Sequence, residues 1–194
     1  MERNEMRKRV KKQLDKSRYE HTLGVMYTAA SLAMAHGYPI EDAMTAGLLH
    51  DCAKNIPDDE KLKLCKKHHI PINSTEQERP CLLHAKLGAF LAQTEYGIKN
   101  QGILHAIQVH TTGEPEMSIL DQIIYIADYI EPMRDKAPDL KEVRKLAFTD
   151  LNRCVARILH DTLTYLHEKG GKIDPGTQQT YDYYRQFEEK TIYQ

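Results

Sequence analysis

Apolar residues recur along this chain at steps of three and four, the spacing that lines one face of a helix. Met6, Val10 and Leu14 stack in this way in the first segment. A second helix is predicted from Ser17 to His36, stopped at Gly37, a residue suited to the left-handed conformation that closes helices. A third begins near Pro39 and reaches Lys54, with Glu41 and Asp42 placed to favour its N-terminal dipole. Pro57-Asp58-Asp59 opens a fourth that fades at His68-His69, and residues 71–79 read as a loop. A fifth follows Pro80 and ends at Gly97; a sixth covers Asn100 to His110; Gly113 to Pro115 make a turn. The seventh runs from Ser118 to Glu131 and is closed by Pro132. After a break at Asp135 to Asp139, residues 140–169 carry one long helix or two shorter ones, ending at Gly170-Gly171, and a last helix starts around Pro175. Period-two alternation is scarce and no Asn-Gly or Asp-Gly hairpin occurs, so the expected class is all-α.

Composition narrows this picture. A chain of 194 residues without repeats, linkers or low-complexity segments is expected to form one domain, 1–194, with a core that needs no staples. Lysine and arginine number 27 against 28 aspartates and glutamates, a balance that gives no general attraction to nucleic acid or to anionic membranes. The basic start (Arg3, Arg7, Lys8, Arg9, Lys11, Lys12) is the wet face of an amphipathic helix, not a secretory leader, because no apolar stretch follows it. No eighteen-residue apolar run suggests a membrane span. Cys52, Cys65, Cys81 and Cys154 are scattered without a C-x-x-C pair, which reads as reduced thiols in a cytoplasmic protein. Ten histidines remain to be explained.

A charged or polar side chain on a buried helix face costs several kcal/mol unless it is paired or ligates a metal. The segment Ala43 to Ala53 is apolar or small nearly all round, yet it carries His50 and Asp51. Lys54 can aim its cation at the same place. His21 continues the stripe Gly24, Val25, Thr28 and Leu32, with Arg18 one turn earlier; His84 heads Leu87, Gly88 and Leu91; His110 follows Ala106 and Ile103; Asp128 follows Ile124. His105 lies on a polar side near Gln101 and Gln108, while His36, His68 and His69 occupy C-terminal turns. A second pair, His160-Asp161, falls with Arg157, Thr164 and His167 on the wet face of an amphipathic helix. Any one inward histidine is most simply a hydrogen-bonded core residue, and an inward aspartate could simply pair with Arg18. Four histidines and two aspartates inward together point to a metal site.

Imidazole and carboxylate ligands without thiolate suit iron, manganese, cobalt or zinc, and such a cation activates water and polarises phosphoryl oxygens. Arg18, Lys54 and Arg134 would supply positive charge around a polyphosphate, although Lys54 and Arg134 taken singly could be solvated charges. Neither a G-x-x-x-x-G-K-[ST] loop nor a G-x-G-x-x-G fingerprint is present.

The order His21, His50-Asp51, His84, His110, Asp128 resembles the ligand pattern of HD-domain phosphohydrolases, helical bundles with a metal at their centre. More narrowly, Arg18-Tyr19-Glu20-His21-Thr22-Leu23-Gly24, Gly47-Leu48-Leu49-His50-Asp51-Cys52-Ala53-Lys54 and Ile126-Ala127-Asp128-Tyr129-Ile130-Glu131-Pro132 are similar to the YqeK group. Those are bacterial symmetrical diadenosine tetraphosphate hydrolases. The resemblance implies that His21, His50, Asp51 and Asp128 bind iron, and that His84 and His110 contact phosphate or hold a second metal. It places Arg18, Lys54, Thr111 and Arg134 at substrate phosphates, and Asp51, Lys54, His84 and His110 at the chemistry. Gly170, Gly171, Lys172, Ile173, Asp174 and Pro175 match a nucleoside-end region, although Asp174 stands where many relatives have histidine, and an ordinary helix connection explains the segment equally well. A dinucleoside polyphosphate or an ADP-like nucleotide is the implied small-molecule partner, and relatives suggest a homodimer. A nucleotidase, a guanosine alarmone hydrolase and a non-catalytic metal- and nucleotide-binding sensor are the alternative readings.

Overall fold

The computed structural model describes residues 1–188, all connected by helices and turns; residues 189–194 of the expected single domain lie outside the described residues. The helices are α1 (Arg3–Gln13), α2 (Lys16–Ala35), α3 (Ile40–Leu49), α4 (Asp58–Lys67), α5 (Ser74–Glu78), α6 (His84–Thr94), α7 (Gln101–Val109), α8 (Ile119–Ile130), α9 (Leu140–Ala147), α10 (Leu151–Glu168) and α11 (Pro175–Tyr184). No strand occurs among the described residues, in line with the expected all-α class.

Local chemistry sets the boundaries. Asp15 accepts the amide of Arg18 and starts α2; Ser118 and Asp121 close a reciprocal capping box at the head of α8; Asp150 and Asp174 cap α10 and α11. Gly37, at φ +66, ends α2 as expected. The Asp150 cap divides residues 140–169 into two helices.

Two expectations are corrected. Residues 71–79 are not a plain loop: Asn73 and Glu76 form a capping box that starts the short α5. The third helix stops at Leu49 rather than reaching Lys54. Beyond it the chain tightens into three-residue turns, with Cys52 N–H on Leu49 O, Lys54 N–H on Asp51 O and Ile56 N–H on Ala53 O.

α8 is the most buried element, with Leu120, Ile123, Ile124, Ile126 and Ala127 sealed from solvent. α2, α3, α7 and α10 pack round it, and α2 lies most closely on α3. A smaller apolar cluster joins Ala53, Cys65, Leu83 and Leu87 beneath α4, so the two cores meet at the turns following Leu49. Met6, Val10 and Leu14 are buried, which makes the basic face of α1 the wet one. No helix among the described residues is long and apolar enough to cross a membrane.

Candidate metal centre

Six side chains meet where the two cores join. His21 comes from the second turn of α2, His50 and Asp51 from the end of α3, His84 from the start of α6, His110 from the end of α7, and Asp128 from the last turns of α8. His21, His50, Asp51, His84 and His110 are buried, and Asp128 is a quarter exposed. Three subsets, His21/His50/Asp51, His50/His110/Asp128 and Asp51/His84/His110, each bring one ligand atom per residue within 4.8 Å of the others.

Asp51 lies at the middle. Its Oδ2 faces His21 Nε2 at 4.0 Å and His50 Nε2 at 3.6 Å. Its Oδ1 faces His84 Nε2 at 3.2 Å and His110 Nε2 at 3.7 Å. One carboxylate therefore fronts two adjoining loci.

The tautomers follow from the hydrogen bonds. His50 Nδ1–H donates to Gly47 O (2.7 Å), His84 Nδ1–H to Cys81 O (2.6 Å) and His110 Nδ1–H to Ile107 O (2.7 Å). Those three rings sit at helix ends or in a turn, where carbonyls are left over from the helical ladder. All therefore turn Nε2, a lone pair, toward Asp51. His21 Nε2, His50 Nε2 and Asp51 Oδ1 are buried and make no hydrogen bond. Leaving three such atoms unmatched is expensive, and a bound cation satisfies all of them. The donor set fits a borderline transition metal.

The two loci differ. Lys54 Nζ donates to His84 Nε2 at 3.0 Å, and Thr111 Oγ1 lies 3.2 Å from both His84 Nε2 and His110 Nε2. The His84–His110 locus thus has donors of its own, whereas His21 Nε2 faces only carboxylates, Asp128 Oδ1 at 3.0 Å and Asp51 Oδ2 at 4.0 Å, and His50 Nε2 faces Asp51 Oδ2.

Electrostatics keeps the ligands in binding form. Burial pushes the His50 imidazole down to about 4, and burial likewise lowers His84, so both rings are neutral at neutral pH. Burial alone would raise the Asp51 carboxyl, but the His50, His110 and His84 rings that face it, together with the Lys54 ammonium, outweigh burial and hold Asp51 well below the usual range. Asp128 is lowered in the same way, its burial overcome by His21 and His50 with a further contribution from Arg134.

Cations ring the rim. Arg18 Nη1 donates to Asp51 Oδ2 at 3.0 Å, Lys54 Nζ lies 3.6 Å from Asp51 Oδ1, and Arg134 Nη2 donates to Asp128 Oδ1 at 2.7 Å. A cleft of about 400 Å³ opens beside them, lined in part by His110, Thr111, Asp128, Tyr129 and Arg134.

The segment 170–175 stands apart from the six. Asp174 Oδ1 caps α11 through Gly176 N–H and its Oδ2 accepts Asn73 Nδ2 at 2.9 Å. Lys172 pairs with Glu78, and its carbonyl accepts Arg79. Gly176 approaches Thr112, which leaves the segment beside the His110–Thr111 turn rather than in the cluster. Its contacts as they stand are those of a helix connection.

Of the remaining histidines, His160 is exposed as expected, but the Asp161 carboxylate beside it is covered by Arg157, which donates to both its oxygens at 3.0 and 3.1 Å. His105 does not simply face polar surface. It bridges Asp121 Oδ1 and Glu114 Oε1, each at 3.0 Å, on the far side of α7.

Sequence reasoning passed over Glu131. Its carboxylate is buried and accepts both His21 Nδ1–H (3.1 Å) and Met133 N–H (2.7 Å). The signal was slight: Glu131 lies three residues past Asp128, one position beyond the end of α8.

The HD domain family model matches residues 18–133, a span that takes in all six converging side chains. A symmetrical bis(5'-nucleosyl)-tetraphosphatase of Bacillus subtilis (strain 168) is 41% identical over 183 residues, 94% of this chain and 97% of that protein. One of the same name from Halalkalibacterium halodurans is 39% identical over 182 residues, covering 94% and 96%. A crystal structure of a predicted HD superfamily hydrolase involved in NAD metabolism from Clostridium acetobutylicum superposes with a TM-score of 0.93 at 36% identity, covering 97% of this chain and 99% of that one.

Proposed function

The chain belongs to the HD domain family, and from that premise we propose that it is a metal-dependent hydrolase that cleaves diadenosine tetraphosphate symmetrically into two ADP. The observation that carries the reading is Asp51: a buried carboxylate that fronts one pair of imidazoles with each oxygen, with Arg18 and Lys54 against it and a cleft lined by Arg134 alongside. That is a metal locus joined to a phosphate locus. The near full-length similarity to two symmetrical tetraphosphatases supports the substrate.

His21, His50, Asp51 and Asp128 would hold the metal, which when bound lowers the pKa of water and polarises a phosphoryl oxygen. Iron is the first choice, ahead of manganese, cobalt and zinc. His84 and His110, with Thr111, take the phosphoryl group under attack, or a second metal. Water adds to a phosphorus of the central anhydride and gives up a proton to solvent, the bridging P–O bond breaks, and one ADP departs with the bridging oxygen while the other keeps the oxygen of water. Asp51 stays ionised, so it orients water by accepting its hydrogen bond rather than storing its proton. Lys54 and Arg18, which touch Asp51, offset charge on the phosphates and on the leaving ADP, while Arg134 at the rim holds a phosphate of the bound substrate. Residues Gly170 to Pro175 take a nucleoside end. We further propose one domain over the whole chain, a homodimeric assembly and a cytoplasmic setting.

The experiment is product identification. Protein loaded with iron, manganese or cobalt is incubated with the dinucleotide, and ADP alone is expected. ATP plus AMP would reject symmetrical cleavage, and no turnover with any of the three metals would reject the enzyme reading. A nucleotide panel run in parallel separates this activity from a nucleotidase or an alarmone hydrolase.

Arg134 allows a narrower check. It is 42% exposed on the cleft rim, and a charge-assisted hydrogen bond contributes about 1.5–3 kcal/mol. Arg134→Ala is expected to raise KM about tenfold with kcat little changed. A fall in kcat at constant KM would place Arg134 at the reacting bond instead.

A further inference from the structure

Three of the four inward histidines fix their tautomer on a backbone carbonyl, at 2.6 to 2.7 Å. His21 cannot. It lies inside α2, where upstream carbonyls belong to the helical ladder, and Arg18 O additionally takes the Thr22 hydroxyl. Its Nδ1 meets the Glu131 carboxylate instead, 3.1 Å away.

That carboxylate is built into place. Glu131 follows the last residue of α8, with its side chain 1% exposed. Arg144 donates to the carbonyls of Ile130, Glu131 and Arg134, and Arg134 N–H bonds Glu131 O, which pins the backbone. Glu131 Oε2 holds Met133 N–H, which leaves Oε1 for His21. Room for it comes from α2 itself: a Cβ on Gly24 would lie 2.4 Å from Glu131 Oε2. Position 24 therefore has to be glycine for the carboxylate to fit against the helix that carries His21.

Asp128 Oδ1 lies 3.0 Å from His21 Nε2 and competes for the same ring proton. We propose that Glu131 is a positioning residue of the metal centre, holding the His21 proton on Nδ1 against that competition so that the Nε2 lone pair is left for the metal. The role rests on His21 being a metal ligand, as argued above. Carboxylate chemistry is required because two donors converge on the side chain. A glutamine in the same place offers one acceptor oxygen and one NH2 group. Satisfying Met133 N–H turns the NH2 group toward His21, which then offers Nδ1 as acceptor and carries its proton on Nε2, the wrong nitrogen for ligation.

The test uses the full chain and two readouts other than turnover. Proton–nitrogen correlation NMR of the metal-free protein reads the His21 tautomer, and a competition titration with a chromophoric chelator reads manganese affinity. Glu131→Gln is expected to move His21 toward the Nε2–H form and to weaken manganese binding 10- to 100-fold. Gly24→Ala keeps the glutamate but displaces it, and is expected to act in the same direction even though helix propensity favours alanine. It also stands in if Glu131→Gln does not fold. A change in both readouts supports the role. Unchanged affinity overturns it, and so does weaker binding with the Nδ1–H tautomer retained, which would mean loosened packing only. An unaltered chain that binds no manganese, iron or cobalt overturns the metal reading and this role together, and shows before any variant is made.

Discussion

Asp51→Asn is expected to remove diadenosine tetraphosphate hydrolysis, lowering kcat/KM by about 10²–10⁴-fold or more, while far-UV circular dichroism stays that of the unaltered chain. The size of the loss follows from position. Asp51 alone fronts both loci, with Oδ2 toward His21 and His50 and Oδ1 toward His84 and His110. Asparagine keeps the volume, removes the charge and presents at least one locus with an NH2 group where a cation needs an acceptor. A group acting directly at the chemical step contributes on this scale. Survival of the fold follows from the partners left behind. Losing one member of a buried ion pair normally strands the other, but Arg18 and Lys54 are 31% and 33% exposed and can turn to water. The His50 and His84 imidazoles, held neutral by burial, strand no charge. Substantial turnover in Asp51→Asn, measured by chromatographic release of ADP, would sink the assignment of Asp51; loss of helical content would sink the claim that its role is chemical rather than structural.

The centre was legible in the sequence because burial is periodic. His21, His50, Asp51, His84, His110 and Asp128 each continue an apolar stripe, and a stripe states which side chains enter a core without stating how helices cross. Convergence needed the fold: five separate elements had to bring their stripes to one point. The Asn73/Glu76 box of α5 was also legible, but residues 71–79 lack the apolar period that announces a longer helix. The stop of α3 was hidden for the opposite reason. The apolar run continues through Cys52 and Ala53 because those residues enter the two cores, whatever the backbone does between them. Lys54 still reaches Asp51, since three-residue turns keep positions three apart on one side. Glu131 escaped because it stands at a helix boundary before Pro132, where polar residues are ordinary; its partner His21 is 110 residues away in sequence, and the missing Cβ of Gly24 that makes room for the carboxylate shows only in the fold.

Gly47→Ala is expected to damage the centre from outside it. A Cβ at position 47 would lie 2.9 Å from Met26 Cα, 3.2 Å from Met26 N and 3.3 Å from Val25 O. These are backbone atoms of α2, so no side chain can swing aside and the two helices must part. Overpacking of this kind costs about 1–3 kcal/mol, against roughly 1 kcal/mol that alanine regains in helix propensity. The net change in unfolding free energy is therefore modest, about 0–2 kcal/mol of destabilisation, read from a urea midpoint. The functional change is larger. His21 lies on α2 and His50 at the end of α3, so separating the pair widens the distance between two ligands that share Asp51 Oδ2, and displacements approaching 1 Å at a reacting centre cost about 10²-fold. Gly88→Ala is the control: its Cβ would meet His50 O and Ile107 Cγ2 at 3.5 Å and Cys52 Sγ at 3.6 Å, ordinary contact distances in the same region. It should retain kcat/KM and gain slightly in stability. Equal activity in the two alanine variants would mean that close α2–α3 packing does not set the ligand geometry, and the link from fold to chemistry would have to run through the turns after Leu49 alone.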